Sequence, residues 1–501
     1  MDTDVIVVGA GPTGLMLAGE LRLAGARVVV VERLAEPSGQ SRGLGFTART
    51  MEVFDQRGLL GAFGEIATSS AGHFGGLPVD FSVLDGIHFS ANGIPQWRTE
   101  AVLTEWAERL GADIRRGREL TALSESGDLV EADVQGPDGP ERLRAAYLVG
   151  CDGGRSTVRG LAGFGFPGSE PTLEMFLADV EGCGLPARPI GERVPGGMAM
   201  NAPLGDGVDR IIVCERGTAP APRTGPPAFS EVAAAWQRLT GEDISGGTAL
   251  WASAFTDSAR QADTYRRGRV LLAGDAAHIH LPAGGQGLNV GVQDAVNLGW
   301  KLGAVVRGDA PDAPGAPDAP GAPGALLDTY HDERHPVGAR VLMNTQAQGL
   351  LYLSGTEVEP LRAVMSELMA FDDVNRHLVG MVSGLEIRYA AEGDHPLLGR
   401  RMPPRDLIQE NEKTSVTELL HSGRGVLLDL AASPEVRAVA EGWAGRVDVV
   451  TAAAHVAGDD DPVASADAVL VRPDGYVAWV SPGCGDLRGA LSRWFGPPAP
   501  A

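Results

Sequence analysis

The chain has 501 residues, 44% of them hydrophobic and 21% charged, which is ordinary globular usage and excludes global disorder. At roughly 150 residues per domain this length predicts about three domains. Forty-two Lys and Arg against 65 Asp and Glu leave a formal charge of −23, a surface that repels phosphate backbones and anionic lipids and so argues against nucleic acid or membrane as the main partner.

The start, Met1-Asp2-Thr3-Asp4, lacks a basic leader region, and no apolar run reaches the length of a membrane span. The chain therefore reads as a soluble cytoplasmic enzyme. Residues 5–8 (Val-Ile-Val-Val) form an unbroken β-branched run, the pattern of a strand buried on both faces. Gly9-Ala10-Gly11-Pro12-Thr13-Gly14 follows, then a helical pattern through Leu15, Ala18 and Leu21 that stops near Gly25. A second buried strand over residues 27–31 ends at Glu32, eighteen residues after Gly14. Strand, Gly-x-Gly-x-x-Gly, helix, strand and acid make a dinucleotide-binding βαβ unit. The glycines Gly9, Gly11 and Gly14 allow a tight turn and let a pyrophosphate reach the helix N-terminus. Glu32 would accept hydrogen bonds from ribose hydroxyls, and an acid there disfavours a 2′-phosphate, leaving FAD or NAD.

Further along, an apolar strand over 144–149 leads into Gly150-Cys151-Asp152-Gly153. Residues 172–268 alternate apolar and polar stretches between turns and predict a mostly antiparallel sheet inserted into the dinucleotide fold. A strand over 269–273 leads into Gly274-Asp275, and a helix is expected from about Gly291 to Val306. Residues 309–324 repeat Asp-Ala-Pro-Gly-Ala-Pro and read as a solvated loop. Helical patterns resume over 328–340. From about His395 three strand-like runs begin a small α/β unit. The predicted division is 1–171 with 269–394, 172–268, and 395–501.

No second Gly-x-Gly-x-x-Gly follows a strand, so a separate nicotinamide domain is not expected. Two further sites favour flavin. Asp275, a carboxylate at a strand end, suits ribityl hydroxyls. The stretch from Pro282 through Gly287-Leu288-Asn289 opens a helix whose amides can face the pyrimidine edge of an isoalloxazine and stabilise its anionic reduced form. His278 and His280 lack a third ligand nearby, so no metal is expected. Cys151, Cys183, Cys214 and Cys484 form no Cys-x-x-Cys pair, which excludes a disulfide scaffold and a dithiol redox centre.

These three elements, with Cys151-Asp152-Gly153-Gly154-Arg155-Ser156-Thr157-Val158-Arg159 between the other two, resemble the single-component flavoprotein aromatic hydroxylases of the para-hydroxybenzoate hydroxylase-like family over about residues 1–395. The remainder resembles the thioredoxin-like C-terminal domain of the phenol- and polyketide-hydroxylase branches. Residues 41–53 and 283–300 are most similar to angucycline oxygenases of actinobacterial type-II polyketide pathways. The resemblance implies a Rossmann-like FAD-binding domain, an inserted substrate sheet and a thioredoxin-like domain. It places Thr13, Glu32 and Arg33 around the adenosine and pyrophosphate, Asp275 on the ribityl chain, Arg42 and Gln96 near the ribityl–phosphate region, and the backbone near Leu120 beside adenine. It associates Asp152 with both FAD and NADPH.

The implied reaction is hydroxylation of an aromatic polyketide in antibiotic biosynthesis, with NADPH reducing FAD and O₂ adding to give a flavin C4a-hydroperoxide. Electron-rich phenols need no dedicated base, so no catalytic side chain is named. Pocket candidates lie at 73–78 and at Phe81, Phe176 and Met198. The Trp-x-Trp-x-Ile-Pro segment of halogenases on this fold is missing. A flavin-dependent reductase or dehydrogenase, or a non-catalytic flavin-binding protein, stays open as the alternative. The substrate's ring system and the oligomeric state, a homodimer included, stay open too.

Overall fold

The structure is a computed structural model that describes residues 1–84, 91–310, 326–455, 458 and 461–499. At its centre is a six-stranded sheet in the order Arg266–Arg267, Val270–Leu272, Tyr147–Gly150, Val5–Val8, Val28–Glu32, Asp113–Arg116. All neighbours are parallel except the short Arg266–Arg267 edge. The inner parallel strands are covered on both faces, which is why they read as near-continuous apolar runs, whereas the edge strand Asp113–Arg116 does not. Helix Pro12–Leu23 returns the chain from the first strand to the second and packs against helix Gln286–Val306. The seam between these two helices is very tight: a Cβ built on Gly303 would lie 2.3 Å from the Ala24 Cβ, and one on Gly299 equally close to the Glu20 Cβ. Gly303→Val should therefore destabilise the fold by roughly 1–3 kcal/mol through overpacking. A denaturation midpoint equal to that of the parent would show that the seam can open without cost.

Several elements differ from expectation. The run over 144–149 is two strands, because the chain leaves the antiparallel hairpin Gly139–Ala145 and joins the parallel sheet at Tyr147–Gly150. The long helix begins at Gln286 rather than near Gly291. Its glycines resemble a turn in sequence, but Gly291 faces Thr13, where a Cβ would sit 2.4 Å from the hydroxyl. The next helix, Asp328–Leu353, runs through Pro336 and well past residue 340. Residues 311–325, most of the predicted Pro-rich loop, lie outside the described residues.

The stretch 172–268 contains a five-stranded antiparallel sheet in the order Arg188–Val194, Gly197–Gly205, Val208–Glu215, Glu174–Glu181, Thr248–Thr256. Helix Phe229–Thr240 covers one face with Trp236 and Val232 against Ala178, Val180 and Ile211. The other face gathers Met175, Met198 and Cys214. In the C-terminal region, Val447–Thr451, Gly425–Asp429, Ala468–Val471 and Val477–Ser481 form one sheet in that order. Its first pair is parallel and the others antiparallel, the thioredoxin-like arrangement.

Buried charge fastens this region to the rest. Arg57 pairs with Glu20 at 2.5 Å and donates to the carbonyls of Leu420 and Pro473. Glu333 accepts from both Lys301 and Arg472, and Asn297 donates to Asp474. Removing one member would leave a buried charge uncompensated. Among the described residues no helix is long and apolar enough to cross a membrane.

Candidate cofactor and substrate site

Three turns meet at the carboxyl edge of the central sheet, where open α/β sheets bind their ligands. Their closeness follows from the strand register, with Val8 beside Val31 and Gly150, and Gly150 beside Leu272. The ladder even continues into the turns: the amides of Gly9, Cys151 and Ala273 donate to Val31, Val8 and Gly150 at 2.8, 2.8 and 3.0 Å.

The three glycines of the first turn have separate reasons. Gly9 has φ +105° and touches the Asp152 turn, since a Cβ there would lie 2.5 Å from the Cys151 carbonyl oxygen. A Cβ on Gly14 would lie 2.0 Å from the Gly9 oxygen, so that helix could not approach its strand with a side chain present. Gly11 is different: a Cβ there would meet nothing within 4 Å. Internal packing does not demand glycine at this position. A phosphate brought against the helix start would. Pro12, at the first helical position, supplies a preset φ and removes a donor that would have no partner there. Thr13 packs into the seam formed by Gly274 and Gly291.

Glu32 ends the second strand and holds two backbone amides, Ala10 at 2.8 Å and Leu34 at 2.8 Å. It thus shapes the glycine turn as well as presenting a carboxylate at its rim. Arg33 and Arg42 are exposed and make no ion pair among the described residues. Gln96 clasps the segment that carries Arg42: its side-chain oxygen accepts from the Gly43 amide at 3.3 Å, and its nitrogen donates to Glu100 at 2.8 Å. Leu120 is a core residue of the strand Glu119–Ser126, so only its backbone can serve a ligand. Asp152 accepts from Ser156 and from the amides of Thr157 and Val158, so it braces the start of the short helix Thr157–Leu161, whose N-cap is Ser156.

Asp275 sits in the turn Gly274–Ala276. Its side chain is open to solvent yet closely walled by protein, and this burial pushes its carboxyl above the usual range, opposed by His278 and Arg42. Beneath it lies a group the sequence did not reveal. Asp294, fully buried, accepts from Arg334 at 2.7 Å, from the Gly274 amide at 3.1 Å, and pairs with His278 at 2.8 Å. Burial raises its carboxyl, but Arg334 and His278 outweigh that and hold it below the ordinary value. His278 is thus a structural partner. His280 uses its Nδ1 on the Leu281 carbonyl at 2.8 Å, and burial lowers it to about 4, so it is neutral.

Pro282 precedes a turn in which Gly284 and Gly285 both have positive φ, and the helix Gln286–Val306 then starts. Gly287 and Leu288 fall in its first turn, where amides lack partners inside the helix. The Asn289 side chain is occupied: it accepts from Thr47 at 2.8 Å and donates to Gly285 at 2.8 Å, fixing the helix start against the segment after Arg42. Leu281 and Ala283, on either side of Pro282, contact the inner face of the five-stranded sheet through the cluster of Met175, Met198, Cys214 and Tyr352. Of the pocket candidates, Met198 belongs to this face. Phe176 does not: it points the other way, toward helix Phe229–Thr240, and carries Arg223 over its ring. Phe81 packs in a third cluster with Val379 and Val382. In the 73–78 stretch, the His73 ring lies 5.7 Å from that of Tyr352, and burial lowers its basicity.

These residues fit a flavin dinucleotide: an open Gly11 face, a rim carboxylate, an accessible strand-end carboxylate and free helix amides. Glu32→Arg should weaken FAD binding at least tenfold, since it removes an acceptor and two turn-shaping hydrogen bonds. Flavin fluorescence titration measures this, and an unchanged affinity would remove Glu32 from the site.

Comparison with known proteins agrees. The FAD binding domain family matches residues 2–345, and the aromatic-ring hydroxylase C-terminal family matches residues 395–498. The 12-dehydrotetracycline 5-monooxygenase/anhydrotetracycline 6-monooxygenase of Streptomyces rimosus is 47% identical across 100% of both chains. The rifampicin monooxygenase of Streptomyces venezuelae is 45% identical across 98% of each. The crystal structure of CabE, an aromatic hydroxylase from angucycline biosynthesis, superposes with a TM-score of 0.95 at 64% identity, covering 99% of this chain and 100% of its own. Matched along its length by these families and relatives, the chain belongs to the family of FAD-dependent aromatic-ring hydroxylases.

Proposed function

We propose that this monooxygenase hydroxylates a polycyclic aromatic polyketide of the angucycline type, with NADPH as reductant and O₂ as oxygen source, in the cytoplasm. The observation that carries the substrate class is the juncture of Leu281 and Ala283 with the sheet face of Met175, Met198 and Cys214. It supplies an apolar wall directly beside Pro282 and the cofactor turn, suited to flat ring systems. The relatives named for tetracycline and angucycline chemistry support the same class.

When bound and reduced, the flavin supplies the oxygen-activating chemistry. The chain does the rest. Gly9, Gly11, Thr13 and Gly14 seat the pyrophosphate, with Glu32 and Arg33 at the adenosine end and the Leu120 backbone beside the base. Asp275, Arg42 and Gln96 hold the middle of the cofactor, and Asp152 shapes the adjoining turn. Amides of Gly287, Leu288 and Asn289 stabilise negative charge on the ring. The sheet face excludes water from the reacting atoms. No side-chain base is assigned, because phenols of this class are already acidic and electron-rich. The natural division is a cofactor domain of 1–171 and 269–394, a substrate sheet of 172–268 and the C-terminal unit of 395–501. Substrate-stimulated oxidation of NADPH by the FAD-loaded protein tests the proposal. Oxidation unaffected by any angucyclinone would favour a flavin reductase instead.

A further inference from the structure

The strands Ala71–Phe74 and Leu77–Asp80 form a hairpin that turns at Gly75 and Gly76, both at positive φ. Alternation gives the hairpin two unlike faces. Phe74 and Val79 are buried in the cluster of Leu351, Val379 and Val382. His73, paired across the hairpin with Pro78, stands on the other face and is half-buried. The strand that carries it lies against Ala283–Gly285, the turn between Pro282 and the helix Gln286–Val306.

The tip of the hairpin is pinned, so the ring is held in place. Gly75 donates to Gln348 at 3.1 Å, and Arg362 donates to the carbonyls of Gly75 at 2.8 Å and Leu351 at 2.6 Å. A Cβ on Gly76 would lie 2.7 Å from the Tyr352 ring, whose centroid is 5.7 Å from that of His73. Tyr352 belongs to the same apolar wall as Met175, Met198 and Leu281. His73 therefore stands where the cofactor turn meets the substrate wall.

Its two nitrogens have different tasks. Nδ1 accepts from the Gly76 amide at 3.3 Å, which puts the proton of the neutral ring on Nε2. Burial lowers the basicity of the ring, and no charged neighbour opposes it, so the neutral form prevails. Nε2 is not enclosed and bonds to nothing among the described residues. The neighbouring Tyr352 hydroxyl is already spent on the Ile190 carbonyl at 2.5 Å. A fixed, uncharged N–H beside an apolar wall serves an acceptor oxygen on an otherwise apolar ligand. It could take up a proton there only by moving its own to Nδ1 and losing the Gly76 bond.

We propose that His73 is a substrate-positioning residue, whose Nε2–H donates to an acceptor oxygen, such as a ring carbonyl, of the aromatic ligand on the Met175–Met198 face. The ligand class rests on the proposed function. Two carboxamides separate the two nitrogens. Glutamine can set its N–H group near the place of Nε2, whereas asparagine reaches only the place of Nδ1 and can keep the Gly76 bond. The probe is emodin, a planar trihydroxyanthraquinone with a ring carbonyl free of internal hydrogen bonds, titrated calorimetrically into the FAD-loaded protein. His73→Gln should bind it within about threefold of the parent, and His73→Asn about tenfold more weakly than the parent. FAD content and thermal midpoint, equal in all three proteins, confirm that hairpin and cofactor turn are intact. A purely structural role reverses the order, because asparagine then replaces what matters and glutamine does not. That reversed order, equal affinity in all three proteins, an equal loss in both variants, or no binding to the parent overturns the inference. The proposed function is judged apart, by angucyclinone-stimulated oxidation of NADPH. Stimulation of the parent alongside any of those outcomes would remove the His73 assignment alone.

Discussion

Asp294→Ala should destabilise the protein by roughly 3–5 kcal/mol, the largest effect expected of any single substitution here. Asp294 is fully buried and faces three donors: Arg334, which is itself fully buried, His278 and the Gly274 amide. Alanine leaves the guanidinium without a counter-charge in a place water cannot reach. The Gly274 turn loses its anchor at the same time, so any surviving folded protein should also hold FAD poorly. Asp294→Asn separates the two effects, because it keeps the shape and one acceptor but removes the charge. Urea denaturation followed by far-UV circular dichroism measures the loss. A midpoint within experimental error of the parent for Asp294→Ala would mean that Arg334 finds another partner and that the buried cluster is not what holds the turn.

Asp275→Ala should leave the fold largely intact and damage the chemistry. The carboxylate is accessible at the head of the turn and can accept two ribityl hydroxyls. Hydrogen bonds to a charged group contribute about 1.5–3 kcal/mol each, so FAD affinity should fall roughly tenfold to a hundredfold. The ring would also lose its register with Pro282 and the helix start at Gln286. Displacement of about 1 Å is enough to spoil a reacting geometry. At saturating FAD the variant should release more hydrogen peroxide per NADPH and form less hydroxylated product. Equal coupling and equal FAD affinity in both proteins would make Gly274-Asp275 a plain structural turn.

What was legible in the sequence was whatever is contiguous. The Val5–Val8 strand, the glycine turn, the helix and Glu32 read directly as one unit, because a parallel strand buried on both faces has an unmistakable composition. Three strands of the C-terminal unit were legible for the same reason. The Asp294 cluster was not. Its partners lie 16 to 40 residues from Asp294, and an acid in the middle of a helix looks like a solvated face until the helix is seen to be buried all round. Phe176 and Met198 illustrate a second limit. Alternation shows that a strand has two faces, but not which face helix Phe229–Thr240 will cover. Asp152 shows a third: its motif was plain, while its hold on the first amides of Thr157–Leu161 required coordinates.

Hydroxylation by this protein is tested most directly by supplying the FAD-loaded enzyme with NADPH, ¹⁸O₂ and an angucyclinone and weighing the product. The expected product is a hydroxylated ring carrying ¹⁸O from the gas, formed in proportion to the NADPH oxidised. NADPH consumption that yields only hydrogen peroxide, or a product whose new oxygen comes from water, would contradict it.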